Sequence, residues 1–564
     1  MSKTETTIEE LVSQIERGEL RLPEMQRKYV WRGTRVRDLL DSLYRGYPSG
    51  AILVWETDSD VALQDFSVGQ SQNPFGTTKL LLDGQQRLTS LSAVIRGTEV
   101  QVKNRKRPID ILFNLEHPDD VTFVTEVEED KDDDDDELDD LPDAQEDELA
   151  QRFSEMTFVV ASKRLQSLPQ WISVTEVFQS DSDATFLKQA GVKDFEDPRF
   201  SKYSERLKRL RSIKKYAYTV HILGREKSYE EVTEIFVRVN SLGAKLRSSD
   251  LATAQITAKW PNSLEKFEAF GKDCDKLGFP LDTGGVIVRN MIATITGQSK
   301  FKTVGRIKAE TLQEQWGASQ DSLRFALNFV RSNADVDSVA LLSSPFILVA
   351  LALYGHENNF DISSEASKNL LKWFHLANTK GRYSRSSSES VLDQDLSVIR
   401  QERSVDELLR LLRAQVGRFE VEAGDLDGKN QRSAYFKTMF LAFRNAGATD
   451  WNSNLKISVN HSGAIHKLQF HHVFPKALIN KKYSRRLVND ISNLVFISGR
   501  TNRKISATDP EKYLKKMLDD GKSEMLVSQC VPIDEKLFAV DCYPDFLEAR
   551  RSLIAQRLNE FIFN

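Results

Sequence analysis

Four of the chain's eight histidines, His461, His466, His471 and His472, fall within twelve residues. The last two are adjacent and close a run in which Leu468 and Phe470 alternate with polar residues, the period of a half-buried strand. Phe474-Pro475 then marks a turn, and a second apolar strand, NLVFIS at 493–498, leads through Gly499 to Asn502. Imidazoles from one strand and carboxamides from the next strand and the turn after it can hold one hard cation beside a base. Phosphodiester hydrolysis needs that combination, because water must lose a proton while the leaving oxygen is neutralised. The bland alternative makes His471 and His472 ordinary strand residues and Asn493 and Asn502 ordinary turn residues; the spacing, the Phe-Pro turn and the second Asn together favour chemistry. A zinc finger is disfavoured, since Cys274, Cys530 and Cys542 form no C-x-x-C pair.

The order His-His, Asn, Asn resembles the HNH (ββα-metal) nuclease motif. The variant HHVFPK…NLVFIS…N is similar to the C-terminal nuclease domain of GmrSD-type, modification-dependent restriction enzymes. That resemblance implies His472 as the general base that activates water and Asn493 as the amide that orients its imidazole. It implies His471 and Asn502 as metal ligands. His471 stands where Asp or Glu is more usual in the family, and imidazole suits transition metals better than magnesium, so Mg2+ and a transition metal both remain open. Residues 456–516 carry thirteen Lys or Arg against three acids, a net of +10. Such flanks favour phosphate contacts that are blind to sequence and sensitive to salt.

A second cluster lies near the start of the chain. Gln26-Arg27 sits in an extended segment after Pro23, and Asp83-Gly84-Gln85-Gln86-Arg87 follows the apolar strand at 79–82 and opens a helix closed by Gly97. A strand, a tight turn and a helix start aim backbone N–H groups at an anion. Arg27 and Arg87 can grip phosphate with planar forks, and Gln26, Gln85 and Gln86 can donate without adding charge. Asp83 could hold a metal-bound nucleotide or position water. The other reading is a buried polar network bracing a sheet. Together LPEMQRKYVW and LLLDGQQRLTSL look like the two signature segments of the GmrSD N-terminal domain, and IFVRVNSLG at 235–243 is a third family element. The resemblance implies a ParB/sulfiredoxin-like fold that binds and hydrolyses a nucleoside triphosphate, ATP or GTP. A Walker-type loop is absent from the sequence.

The elements that must carry these residues imply an α+β, multidomain chain. At 564 residues, one core is not expected. We expect a nucleotide-binding domain at 1–255, a helical connector at 256–424 and a ββα-metal nuclease domain at 425–564, with a boundary in the loop 422–430. Residues 119–148 hold eighteen acids and one Lys, so the rest of the chain is basic by about +12 although the formal charge is -5. That acidic insertion, about 119–150, is expected to be disordered. Three cysteines without a pairing pattern and no long apolar run suggest a cytoplasmic protein with no membrane partner. Arg382 and Arg385, in a polar loop, are candidates for a nucleic-acid contact.

The expectation is a nucleotide-regulated, metal-dependent DNA endonuclease of modification-dependent restriction type, acting on modified phage DNA in antiviral defence. Alternatives are a nucleotide-switched DNA-binding adaptor with an inactive nuclease motif, and an RNase or indiscriminate nuclease toxin. The number of subunits is left open, a homo-oligomer included.

Overall fold

The computed structural model describes residues 2–26, 29, 31–58, 63–64, 66, 68, 78–98, 109–118, 153, 155–242, 248–384, 388–458 and 468–563. Arg27, Arg385, His461, His466 and the acidic insertion lie outside the described residues. The chain mixes helices with small sheets and divides into two compact units, Met1–Asn262 and Ser263–Asn564.

The first unit is built on a mixed six-stranded sheet. Its strands are β1 (Ser2–Thr7), β2 (Leu20–Pro23), β3 (Ile52–Thr57), β4 (Leu63–Gln64), β5 (Thr78–Asp83) and, late in the chain, β9 (Ala217–Leu223), in the order β1-β9-β3-β5-β2-β4. β6 (Ile111–Asn114), β7 (Phe158–Val160) and β8 (Trp171–Ser173) form a separate sheet with β6 in the middle. The apolar runs at 52–55 and 80–82 are continuous because both faces of β3 and β5 are covered. Ile52, Val54 and Leu81 pack with α1 (Ile8–Glu16), α2 (Gly33–Arg45) and α3 (Gln85–Arg96). Leu53, Trp55, Leu80 and Leu82 face the other way, against Val232 and Phe236 of α4 (Tyr229–Leu242) and Ala254 of α5 (Ser248–Lys259). Period-2 alternation thus feeds two cores from one strand.

Local signals set several helix ends. The Thr7 hydroxyl accepts from Glu10 N at 3.3 Å, and Gly46 and Gly97 close α2 and α3 in the left-handed conformation. β1 had no such signal. Its SKTETT sequence has no apolar face, and it exists because its backbone pairs antiparallel with β9 from Ser2↔Ile222 to Thr7↔Ala217.

The second unit is helical up to residue 416, then carries a short hairpin. The helix α6 (Phe346–Glu357) is buried on nearly every face, as its unbroken apolar sequence requires. It packs on α7 (Ser364–Thr379) and α8 (Ser388–Glu402), where Arg382 and Tyr383 both donate to Asp395 in a fully buried cluster. Arg382 is therefore a core residue, which corrects its reading as a nucleic-acid contact.

His375, on α7, is buried against Phe374 and Phe561, and burial pushes its imidazole from 6.5 down to about 4. The folded chain leaves this ring neutral while the unfolded chain protonates it below about 6.5. Its contribution is thus intact above 6.5 and lost as pH falls toward 4. His375→Phe should remove roughly 3 kcal/mol of the acid-side loss of stability. Denaturant titrations at pH 7 and pH 4.5 check this, and an unchanged difference between the two would contradict it.

Candidate functional site

The paired histidines end β10 (Leu468–His472), which runs antiparallel to β11 (Leu494–Ser498) with Phe470↔Phe496 and His471↔Val495 in register. β11 passes directly into α10 (Gly499–Ile505); the helix α9 (Ala434–Asn445) precedes the hairpin in the chain. Alternation sorts the side chains. Phe470 and Phe496 meet Phe436 of α9, and His471 turns toward α10, where its Nδ1 lies 2.6 Å from Asn502 Oδ1. A carboxamide oxygen only accepts, so Nδ1 carries the proton and donates it. The topology is strand, strand, helix, with one imidazole and one carboxamide brought face to face.

Both imidazoles are neutral at ordinary pH. Burial holds His471 below its usual value, against the opposing hydrogen bond from Asn502. Burial, and then the charge of Lys476, push His472 down to about 4, while Asn489 acts in the opposite direction. The Nε2 atoms of His471 and His472 are buried and have no hydrogen-bond partner among the described residues. Two such atoms on consecutive residues are costly in an idle core and suit groups that act on a ligand.

Asn493 does something other than expected. It is fully buried, its Oδ1 accepts from Phe474 N at 2.8 Å, and its Nδ2 donates to Phe474 O and Val488 O, both at 3.1 Å. The amide therefore clamps the backbone just after His472, and its hydrogen bonds go to backbone groups. The side chain that meets His472 is Asn489, which no motif signalled.

The hairpin is held from outside by residues remote in sequence. Arg550, on the C-terminal helix α11 (Tyr543–Phe563), is fully buried and donates to Ser492 O at 2.6 Å, Leu494 O at 2.7 Å, Gln529 O at 3.1 Å and Cys530 O at 3.2 Å. Gln529 pairs with both backbone groups of Phe496, as a neighbouring strand would. Asp450 is 4 % exposed and accepts from Ser498 N at 2.7 Å and Thr501 Oγ1 at 2.8 Å.

For a cation, His471 Nδ1 and Asn502 Oδ1 already converge on one point, so an ion could replace the proton they share. Among the described residues no group of three or more His, Cys, Asp or Glu is placed to hold a metal. A divalent ion held there would have His471 and Asn502 as its protein ligands and would need further ligands from outside the chain. Lys476, which acts on His472, and Lys481, Arg485, Arg500 and Arg503 of the same stretch of chain are exposed and have no carboxylate partner among the described residues.

The cluster in the first unit is more internally committed. Arg87 donates to Ser49 O and Ala51 O, each at 2.7 Å, and to Asp83 at 3.1 Å. Gln26 donates to Leu81 O, and Gln86 links Gln85 to Trp31 N. Arg87 is thus a brace of the loop before β3, and its fork is not open for phosphate as expected. The backbone keeps the strand, tight turn and helix start read from the sequence. Gly84 caps α3 with φ 103° and no side-chain cap, and a Cβ there would stand 2.4 Å from Ile52 Cδ1. Asp83 is 40 % exposed beside it. Arg87→Ala should destabilise the first unit by about 3 kcal/mol, because two carbonyls lose charged donors; an unchanged urea midpoint would contradict this bracing role.

Residues 8–257 match the family model described as the N-terminal domain of GmrSD restriction endonuclease. The match lies within the first unit and supports the family that the two N-terminal segments suggested, that of a restriction-endonuclease-type protein. An uncharacterized protein of Methanocaldococcus jannaschii is 24 % identical over 614 aligned residues, spanning 98 % of both chains. Among the described residues, no helix is long and apolar enough to cross a membrane.

Proposed function

We propose that the chain is a metal-dependent DNA endonuclease whose N-terminal unit binds a nucleoside triphosphate and regulates cleavage of modified DNA. The observation that carries the nuclease part is the convergence of His471 Nδ1 and Asn502 Oδ1 at 2.6 Å on a strand-strand-helix frame, next to a neutral His472. In this reading His472 takes the proton of the attacking water as the new O–P bond forms and the old one breaks. Lys476, exposed and close enough to lower the His472 pKa, meets the phosphate. A divalent ion between His471 and Asn502 would supply positive charge for the leaving oxygen. Asn493 acts by keeping the backbone after His472 in place.

Nucleotide binding, in the same proposal, uses the N–H groups that open α3 and the half-buried Asp83 carboxylate. It does not use Arg87 as a phosphate fork. Arg27 lies outside the described residues and keeps that role open.

The test is incubation of purified full-length protein with plasmid DNA, modified phage DNA and RNA, with and without Mg2+ or Mn2+ and ATP or GTP. Metal-dependent breaks in DNA, strongest in modified DNA and altered by nucleotide, are expected. Cleavage should fall steeply with added salt, since several phosphates must be neutralised at once. DNA binding without breaks under every condition would favour the adaptor, and preferential loss of RNA would favour the toxin.

A further inference from the structure

The turn at residues 450–455 is joined to the candidate site at three points, although it precedes His471 by about twenty residues. Asp450 closes the turn on itself: its N–H donates to Leu455 O at 2.8 Å, and its carboxylate accepts from Asn452 N, Ser453 N and Ser453 Oγ. The same carboxylate accepts from Ser498 N, the cap of α10, and from the hydroxyl of Thr501, which immediately precedes Asn502. At the other end of that helix, Lys504 Nζ donates to Asn452 Oδ1 at 2.7 Å. Trp451, buried in the core, lies 6.4 Å from the ring of Tyr513, whose hydroxyl donates to Val473 O at 2.7 Å, directly after His472.

We infer that Asp450 is a positioning residue for the cation site, fixing α10 on the hairpin so that Asn502 Oδ1 meets His471. This rests on the reading of His471 and Asn502 as the place where the cation binds. A buried carboxylate that accepts five hydrogen bonds remains ionised; although desolvation opposes this, those bonds hold it at about 2. Its charge lies at the N-terminal end of α10, where a helix favours an anion. The Ser498 and Thr501 contacts bracket the turn of helix that presents Asn502. Losing them frees that turn to slide by the fraction of an ångström that a two-ligand site cannot tolerate.

The test is calorimetric titration of Mn2+ into the full-length protein at pH 7 without DNA. Wild type should bind, and His471→Ala should not. Asp450→Asn, close in shape, should bind Mn2+ about 10–100-fold more weakly. Thr501→Val, which removes one of the two contacts, should weaken binding in the same direction by less. Leu327→Ala, a core truncation elsewhere in the second unit, should lower the melting temperature and leave Mn2+ affinity unchanged. Wild-type affinity in both Asp450→Asn and Thr501→Val would overturn the positioning role and leave the cation site standing. If Asp450→Asn does not fold, Thr501→Val alone decides. Failure of the wild type to bind Mn2+ would remove the cation site itself, and the positioning role with it.

Discussion

His472→Ala is expected to reduce DNA cleavage by about 10²–10⁴-fold, the range that a positioned general base supplies, while the protein still binds DNA and Mn2+. The reason lies in what the side chain does and does not hold together. Its Nε2 has no hydrogen-bond partner among the described residues, so truncation breaks no bond among them at that atom. The loop after it is set by Asn493 and Tyr513 through backbone carbonyls and N–H groups, and these remain. Electrophoretic mobility shifts and plasmid nicking, run on the same preparation, separate the two effects. Loss of DNA binding in step with cleavage would make His472 a structural residue. Undiminished cleavage would place the base elsewhere.

The second large effect is structural. Arg550→Met should destabilise the second unit by about 4 kcal/mol or more, since four buried carbonyls lose a charged donor at once and Met offers them nothing. Burial lowers the Arg550 pKa to about 10, so the guanidinium is still protonated at neutral pH and every bond is charge-assisted. Two of the carbonyls, on Ser492 and Leu494, flank Asn493, so the same change should loosen the clamp behind His472. A urea titration followed by tryptophan fluorescence reports the stability, with Trp451 inside the affected core. A midpoint within error of wild type would mean that the four bonds are replaced by water at little cost.

The sequence showed what depends on short spacing. The two strands and the turn at Phe474 are separated by few residues, and their apolar and polar alternation reflects the pleat directly; Asn502, expected in a turn, stands instead on the short helix that follows. The turn at Gly84 was legible for the same reason, because a glycine between an apolar strand and a helix start has few other uses. The braces were not legible. Arg550 and Asp450 act on backbone groups far along the chain, and nothing in the residues around either one says which carbonyl or N–H will come within 3 Å.

Arg87 shows the converse error. Its local pattern matches a phosphate-binding turn, but the loop before β3 folds back and presents two carbonyls to the same guanidinium. Asn493 likewise kept its place in the motif and exchanged an imidazole partner for backbone. In both cases the residue type was right for hydrogen bonding, and the tertiary approach of a second segment chose the partner. The polar strand β1 was invisible because an edge strand held only by backbone bonds needs no apolar pattern.

The proposed nuclease site stands or falls on whether His471 and Asn502 hold one cation beside His472. Crystals of the full-length protein grown with Mn2+ and examined by anomalous scattering at the manganese edge test it most directly. One strong peak is expected in contact with both His471 and Asn502, within reach of a water that also touches His472. A bound manganese anywhere else in the second unit, with the His471–Asn502 hydrogen bond left intact, would contradict it.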